Sequence, residues 1–142
     1  MSVWETKEAI RETINSYSGA AGRLDIEALL AHFIPDGEIV GVTELLGLDA
    51  SMHGHDNIRA VFGPSFAALS WLSQMNTTTS IELAEDGKSA RTVTNLVEMA
   101  QRDGDPQIAL IARYEDELVL TDDGWKFARR RLIPLRFAQL DI

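Results

Sequence analysis

Four residues on one extended stretch, Trp71, Gln74, Asn76 and Thr78, are the first candidates for contact with a ligand. If Gln74 faces an interior, the two-residue period of a strand brings Asn76 and Thr78 to the same face, unless a bulge intervenes. A row of uncharged polar groups facing inward is unusual in a pure core, because buried polar atoms need partners. Such groups can orient a small molecule, but the Gln74 amide cannot take a proton at any useful pH. Asp25 could do proton chemistry, although an Asp directly before an apolar helical run is more often its cap. His53 and His55 form a His-x-His pair with only Asp56 adjacent. A metal site needs three or four converging ligands, so no metal is expected. His32 is about 10 Å from Asp25 along a helix axis, too far for contact. The chain has no cysteine, no Gly-rich phosphate loop and no strand-turn serine nucleophile, and no cofactor is expected.

The elements that must position these residues are marked by three Asp-Gly pairs, Asp86-Gly87, Asp103-Gly104 and Asp123-Gly124, spaced 17 and 20 residues apart. Asp-Gly favours tight hairpins, because both residues tolerate positive φ. The pairs predict a four-stranded antiparallel meander over roughly 71–84, 88–102, 107–121 and 124–137. Strands this long must twist and bend, which makes a concave face. On the third strand Ile108, Leu110, Ala112, Tyr114 and Asp116 alternate with a second set containing Ile111 and Arg113.

The first 70 residues are suited to closing that face. Ser2 and Glu5 form a capping-box pattern, and Ile10, Ile14, Tyr17 and Ala21 recur at helical spacing. This predicts a helix to Ala21, ended by Gly22. Asp25 caps a short second helix over 26–32. Pro35-Asp36-Gly37 is a turn, and 38–42 reads as a short strand. Residues 43–54 read as a loop with an edge strand. A third helix, capped by His55 or Asp56, carries Ile58, Val61 and Phe62 and is interrupted at Gly63-Pro64. Helices followed by a strand meander mean an α+β fold, here a cone-shaped, strongly bent antiparallel sheet closed by three N-terminal helices. Its open mouth suits a small, largely apolar molecule.

The 142 residues fit a single domain over 1–142, with 45% apolar and 25% charged content. The net charge of −9 divides into 10 acids and 4 bases in residues 1–70 and 12 acids and 9 bases in 71–142. Neither half is basic, which argues against nucleic acid or an anionic membrane as a partner. The one basic cluster, Arg129-Arg130-Arg131, is expected to lie at the surface or the sheet edge. No stretch reads as a signal peptide or membrane span, and a cytoplasmic location is expected.

Four stretches, taken in order, resemble the SnoaL-like branch of the nuclear transport factor 2-like superfamily, in this case over nearly the whole chain. They are Ile14–Tyr17 through Leu24–Leu30 and Phe33–Gly37; Gly54 through Ile58; Asn76 through Glu82; and Arg113-Tyr114-x-Asp116 with Asp123–Phe127 and Arg130. The resemblance implies the same cone and a fold that hosts polyketide cyclases, scytalone dehydratase, a dehydrochlorinase, ketosteroid isomerase and non-enzymatic members. In the dehydratase-like members an Asp at the end of the first helix orients a catalytic His on the long strand. Those positions fall on Gly22 and Gln74 here, so the Asp-His dyad is missing. The resemblance also places Tyr17 and Tyr114 at the pocket, and Asn95 joins them as a polar contact.

Two functions follow as expectations. One is a small-molecule-binding protein, in its enzymatic form a cofactor-independent lyase, isomerase or cyclase acting on an aromatic, polycyclic or terpenoid-like compound, with contacts from Tyr17, Trp71, Gln74, Asn76, Thr78, Asn95 and Tyr114. Asp25 and Tyr17 are then the catalytic candidates. The other is a non-catalytic interaction or scaffold module with a packed cone. A cavity of several hundred Å3 with unpaired polar groups would favour the first. In both, the convex back of the sheet, with Ile111 and Val119 outward, is expected to pair two copies near Arg113.

Overall fold

The computed structural model describes residues 1–140. Helix α1 (Val3–Gly22) opens at the predicted capping box. The Glu5 amide donates to Ser2 Oγ at 3.1 Å and the Ser2 amide donates to Glu5 Oε2 at 2.9 Å, pairing two amides that the helix itself cannot satisfy. Its buried stripe is Ile10, Ile14, Tyr17, Ala20 and Ala21. Gly22 does not end it. The left-handed residue is Leu24, at φ 55°, with its N–H donating to Ala21 O at 2.9 Å and that of Asp25 to Ala20 O at 3.0 Å. This is a Schellman closure in which burial of the Leu24 side chain against the core offsets a strain of about 1–2 kcal/mol.

Helix α2 (Ile26–Leu30) is capped by Asp25, whose Oδ1 accepts from the Ala28 N–H at 3.1 Å. Strand β1 (Phe33–Val40) begins earlier than expected and absorbs Pro35–Gly37 as an irregularity in its pairing. It stops at Gly41, where φ is 97° and an added Cβ would sit 2.2 Å from the Leu132 carbonyl oxygen. Only glycine fits that crossing.

Residues 43–54 differ most from expectation. A fourth helix, α3 (Val42–Leu46), occupies their start, and the expected edge strand is reduced to one bridge between Glu38 and His53. Helix α4 (His55–Ala67) is preceded by Gly54 with no side-chain cap, so neither His55 nor Asp56 caps it. Both lie in its first turn, and Pro64 lies inside the helix without ending it.

Strands β2 (Leu69–Leu83), β3 (Ser89–Arg102), β4 (Gln107–Thr121) and β5 (Gly124–Leu140) form the meander. The turn glycines Gly87, Gly104 and Gly124 have φ of 69°, 82° and 100°. The sheet order is β1-β5-β4-β3-β2, with β1 parallel to β5 and the other pairs antiparallel. This is the curled α+β cone. Leu96 and Ala100 of β3, and Leu110, Ala112, Tyr114, Asp116 and Leu118 of β4, are buried on the concave side, while Ile111 is exposed on the other.

The basic cluster divides at this sheet. Arg129 and Arg131 stay at the surface, but Arg130 is only 1% exposed. The surface expectation fails for Arg130 because its position shares the inward register of Asp116, its cross-strand partner.

The turn chemistry is directly testable. Nothing lies within 4 Å of an added Cβ at Gly104, so Gly104→Val brings no clash, only a β-branched residue at positive φ. The expected loss is on the order of 1–3 kcal/mol in urea unfolding. A variant unfolding with the parent midpoint would contradict the φ of this turn.

Candidate functional site

Strand β2 carries the polar row, but a bulge divides it. Gln74 pairs with Glu98 and Asn76 with Leu96; the register then shifts, and Thr78 pairs with Asn95. Gln74 and Asn76 therefore face inward, and Thr78 turns to the outer face beside Asn95. Asn95 is exposed, and its Nδ2 donates to Thr78 Oγ1 at 2.8 Å. Trp71 sits on the same outer face, its Nε1 donating to Gln101 Oε1 at 3.2 Å. The sequence expectation thus fails to place Trp71, Thr78 and Asn95 at the interior: the bulge turns Thr78 outward, whereas Trp71, three residues from Gln74, and Asn95, next to inward Leu96, face outward by plain alternation. Asn76 is inward but already engaged. Its Nδ2 donates to Asn15 Oδ1 and Ser18 Oγ, each at 3.1 Å, fastening α1 to the sheet. Asp25 is occupied as the α2 cap.

Gln74, Tyr17 and Tyr114 do converge. They line a cavity of about 130 Å3 between the sheet, α3 and α4, whose walls are otherwise mostly apolar, including Val42, Leu45, Phe66, Leu72, Leu96 and Leu110. The volume is below the several hundred Å3 expected of an open cone. Arg102 and Ser65 also contribute to the lining.

A residue that sequence reasoning missed dominates the site. Glu98 lines the cavity opposite Gln74, whose Nε2 donates to Glu98 Oε1 at 2.8 Å. Desolvation pushes the Glu98 carboxyl above its ordinary range, and the Gln74 hydrogen bond pulls it only partly back. The signal was available. Thr92, Thr94, Leu96, Glu98 and Ala100 share the inward period of β3, and Glu98 is the one acid among them. The other half of the Gln74 amide, Oε1, is buried without a partner.

Behind the cavity the aromatic residues form a second layer. Tyr17 and Tyr114 pack edge-to-face with centroids 6.2 Å apart, and Tyr17 meets Phe33 and Phe127 similarly at 6.0 and 5.7 Å. Burial raises both phenols above their ordinary pKa; the charge of Arg130 pulls them down and that of Glu98 pushes them up. Both hydroxyls stay protonated at neutral pH. The Arg130 guanidinium lies 4.4, 3.8 and 4.3 Å from the ring centroids of Tyr17, Tyr114 and Phe127. Its Nε and Nη2 donate to Asp116 Oδ1 and Oδ2 at 2.8 and 3.1 Å, and Thr92 Oγ1 donates to Asp116 Oδ2 at 3.2 Å. Nη1 is buried without a partner.

This arrangement can hold an apolar molecule, present one carboxyl to it and donate protons from neutral phenols. It has no Asp-His dyad. Gln74 is uncharged, and Gly22 brings no side chain to its place beside Leu72, whose carbonyl oxygen would lie 3.6 Å from an added Cβ. Among the described residues no cluster of three metal-ligating side chains occurs, and no helix is long and apolar enough to cross a membrane.

The SnoaL-like domain profile matches residues 2–131. Among solved structures, a proposed aromatic ring hydroxylase from Novosphingobium aromaticivorans shares 24% identity at a TM-score of 0.86, covering 99% of this chain and 96% of its own. A proposed scytalone dehydratase from the same organism shares 20% at 0.84, with 96% and 88% covered. A hexachlorocyclohexane dehydrochlorinase, LinA type 2, shares 14% at 0.83, with 97% and 90% covered. A search of curated proteins finds no match to the sequence.

Proposed function

The chain belongs to the SnoaL-like domain family, and on that premise we propose that it is a small-molecule-binding enzyme without a cofactor, a lyase or isomerase in which Glu98 takes the place of the missing dyad. The observation that carries this reading is a carboxyl with a raised pKa, facing an apolar cavity and held by Gln74. A base whose pKa lies nearer the working pH is a more effective proton acceptor than an exposed glutamate. Ionised Glu98 would take a proton from an activated C–H bond. The electron pair then forms a double bond as the C–O bond to the leaving group breaks, a phenol of the Tyr17–Tyr114 pair protonates the departing oxygen, and the proton on Glu98 restores the phenol after product leaves. Relatives named as a dehydratase and a dehydrochlorinase support elimination as the reaction class.

The competing reading, a non-catalytic module with a packed cone, gains some support from the modest cavity volume. Against it stand the unpaired Gln74 acceptor and the desolvated carboxyl of half-buried Glu98, both costly if nothing ever meets them. The deciding experiment is proton exchange or elimination on small cyclic ketones and β-hydroxy ketones, compared between the parent and Glu98→Gln. Turnover that Glu98→Gln leaves intact would remove the reading.

The assembly follows from the outer face of the sheet. Ile111 is 45% and Met75 43% exposed there, with Val97 and Met99 half-buried beside them. Arg113 lies next to this patch on the same face, its Nε 3.7 Å from Glu115 Oε2. Such a contiguous apolar face is covered by a second copy of the same sheet in this proposal. Light scattering at micromolar concentration is expected to give twice the mass of one chain; a single-chain mass would contradict it.

A further inference from the structure

The cavity itself restricts what can enter. Its volume is about 130 Å3, close to the roughly 150 Å3 of an apolar protein cavity that holds benzene. A single ring leaves room there for a small substituent, whereas two fused rings would fill it. The walls from α3, α4 and the β3–β4 floor are mostly apolar, including Leu45, Phe62 and Leu96, with Ser65 and Arg102 among their polar members. Gln74 and Glu98 face each other across β2 and β3. There, Gln74 Oε1 is a buried acceptor without a donor, and Glu98 supplies carboxyl oxygens a strand away. A hydroxyl is the smallest group that donates to Gln74 Oε1 and also accepts from Glu98 when that carboxyl carries its proton.

We propose that the ligand of this cavity is an uncharged single-ring compound bearing a hydroxyl, with the ring against the apolar wall and the hydroxyl between Gln74 and Glu98. The proposal rests on the pocket reading above and narrows its substrate class from aromatic, polycyclic or terpenoid-like compounds to single-ring alcohols and phenols. A carboxylate or an ammonium in the same position would lose its hydration to the apolar wall. A ring without a hydroxyl would leave Gln74 Oε1 unpaired.

Calorimetric titration of the full chain tests this with phenol, cyclohexanol, benzene, 2-naphthol, cyclohexylamine and cyclohexanecarboxylate. Phenol and cyclohexanol are expected to bind, with benzene roughly fivefold weaker, the order of one net hydrogen bond. The amine, the carboxylate and the bicyclic naphthol are expected to bind more weakly than phenol. Gln74→Met, similar in volume but without the acceptor, is expected to bring phenol down to the benzene level. Ala100→Leu, which fills the cavity from β3, is expected to remove binding of both. Naphthol, amine or carboxylate binding more tightly than phenol would overturn the proposal, as would phenol binding unchanged in Gln74→Met or Ala100→Leu. The titration of Glu98 is read without any ligand. A panel that fails beside a raised Glu98 therefore overturns the ligand class alone, whereas an ordinary Glu98 pKa removes the pocket reading and this proposal together.

Discussion

Replacing Arg130 with methionine is expected to cost about 3–5 kcal/mol of folding stability, the usual cost of stripping one partner from a buried ion pair. Arg130 and Asp116 are 1% and 0% exposed at their side chains, so neither charge has water to fall back on. Without the guanidinium, Asp116 keeps only the Thr92 hydroxyl, and the three aromatic rings lose the cation they enclose. That loss is a large share of the roughly 5–15 kcal/mol that holds a domain together. The pair is not thereby a net source of stability. Arg130→Met combined with Asp116→Leu removes both charges at once and is expected to recover much of the loss, because apolar replacement of a whole buried pair is often neutral or better. Urea unfolding of the two variants and the parent decides it. A single variant unfolding at the parent midpoint would mean that Asp116 is not buried with its charge.

Glu98→Gln is the second large effect, and it acts on two observables with opposite signs. On turnover, loss of a positioned general base typically costs about 10²–10⁴-fold, and glutamine in its place cannot accept the proton. On stability the same change is expected to help at neutral pH. Burial raises the folded-state pKa of Glu98 above its unfolded value. Between those two values the folded protein holds the extra proton, so the contribution of Glu98 to stability is fully present below the unfolded pKa and is lost as pH rises through the folded pKa. Glu98→Gln removes that loss. The variant should gain on the parent as pH climbs from about 4 towards 8, in melting temperatures taken across that range. Parallel melting curves for the two proteins would contradict the raised pKa.

The meander was legible because Asp-Gly turns announce themselves, and all three glycines take the positive φ that the turn chemistry requires. The α1 capping box was legible for the same reason, being a short local pattern with a geometric consequence. What failed depended on contacts distant in sequence. Leu24 ends α1 because its side chain has a core to enter, which overrides the expected glycine. Helix α3 forms at the start of 43–54, which carried no clear local pattern and was expected to be a loop with an edge strand, and it buries Val42.

In the site, one bulge between Asn76 and Thr78 reverses the face of everything beyond it. That sends Thr78 outward beside Asn95, and no local residue pattern marks the bulge. Glu98 and Arg130 were overlooked for a shared reason. A charged residue on a strand is read as solvated, and burial becomes visible only when its cross-strand partner is known, Gln74 for one and Asp116 for the other.

The role proposed for Glu98 requires a carboxyl whose proton affinity is raised by the cavity it faces. Carbon-13 NMR of the glutamate side-chain carboxyls, titrated from about pH 3 to 9 and assigned by the signal that disappears in Glu98→Gln, measures it directly. The Glu98 resonance is expected to titrate clearly above the ordinary glutamate value of 4.5. A Glu98 carboxyl titrating at or below that value would contradict it.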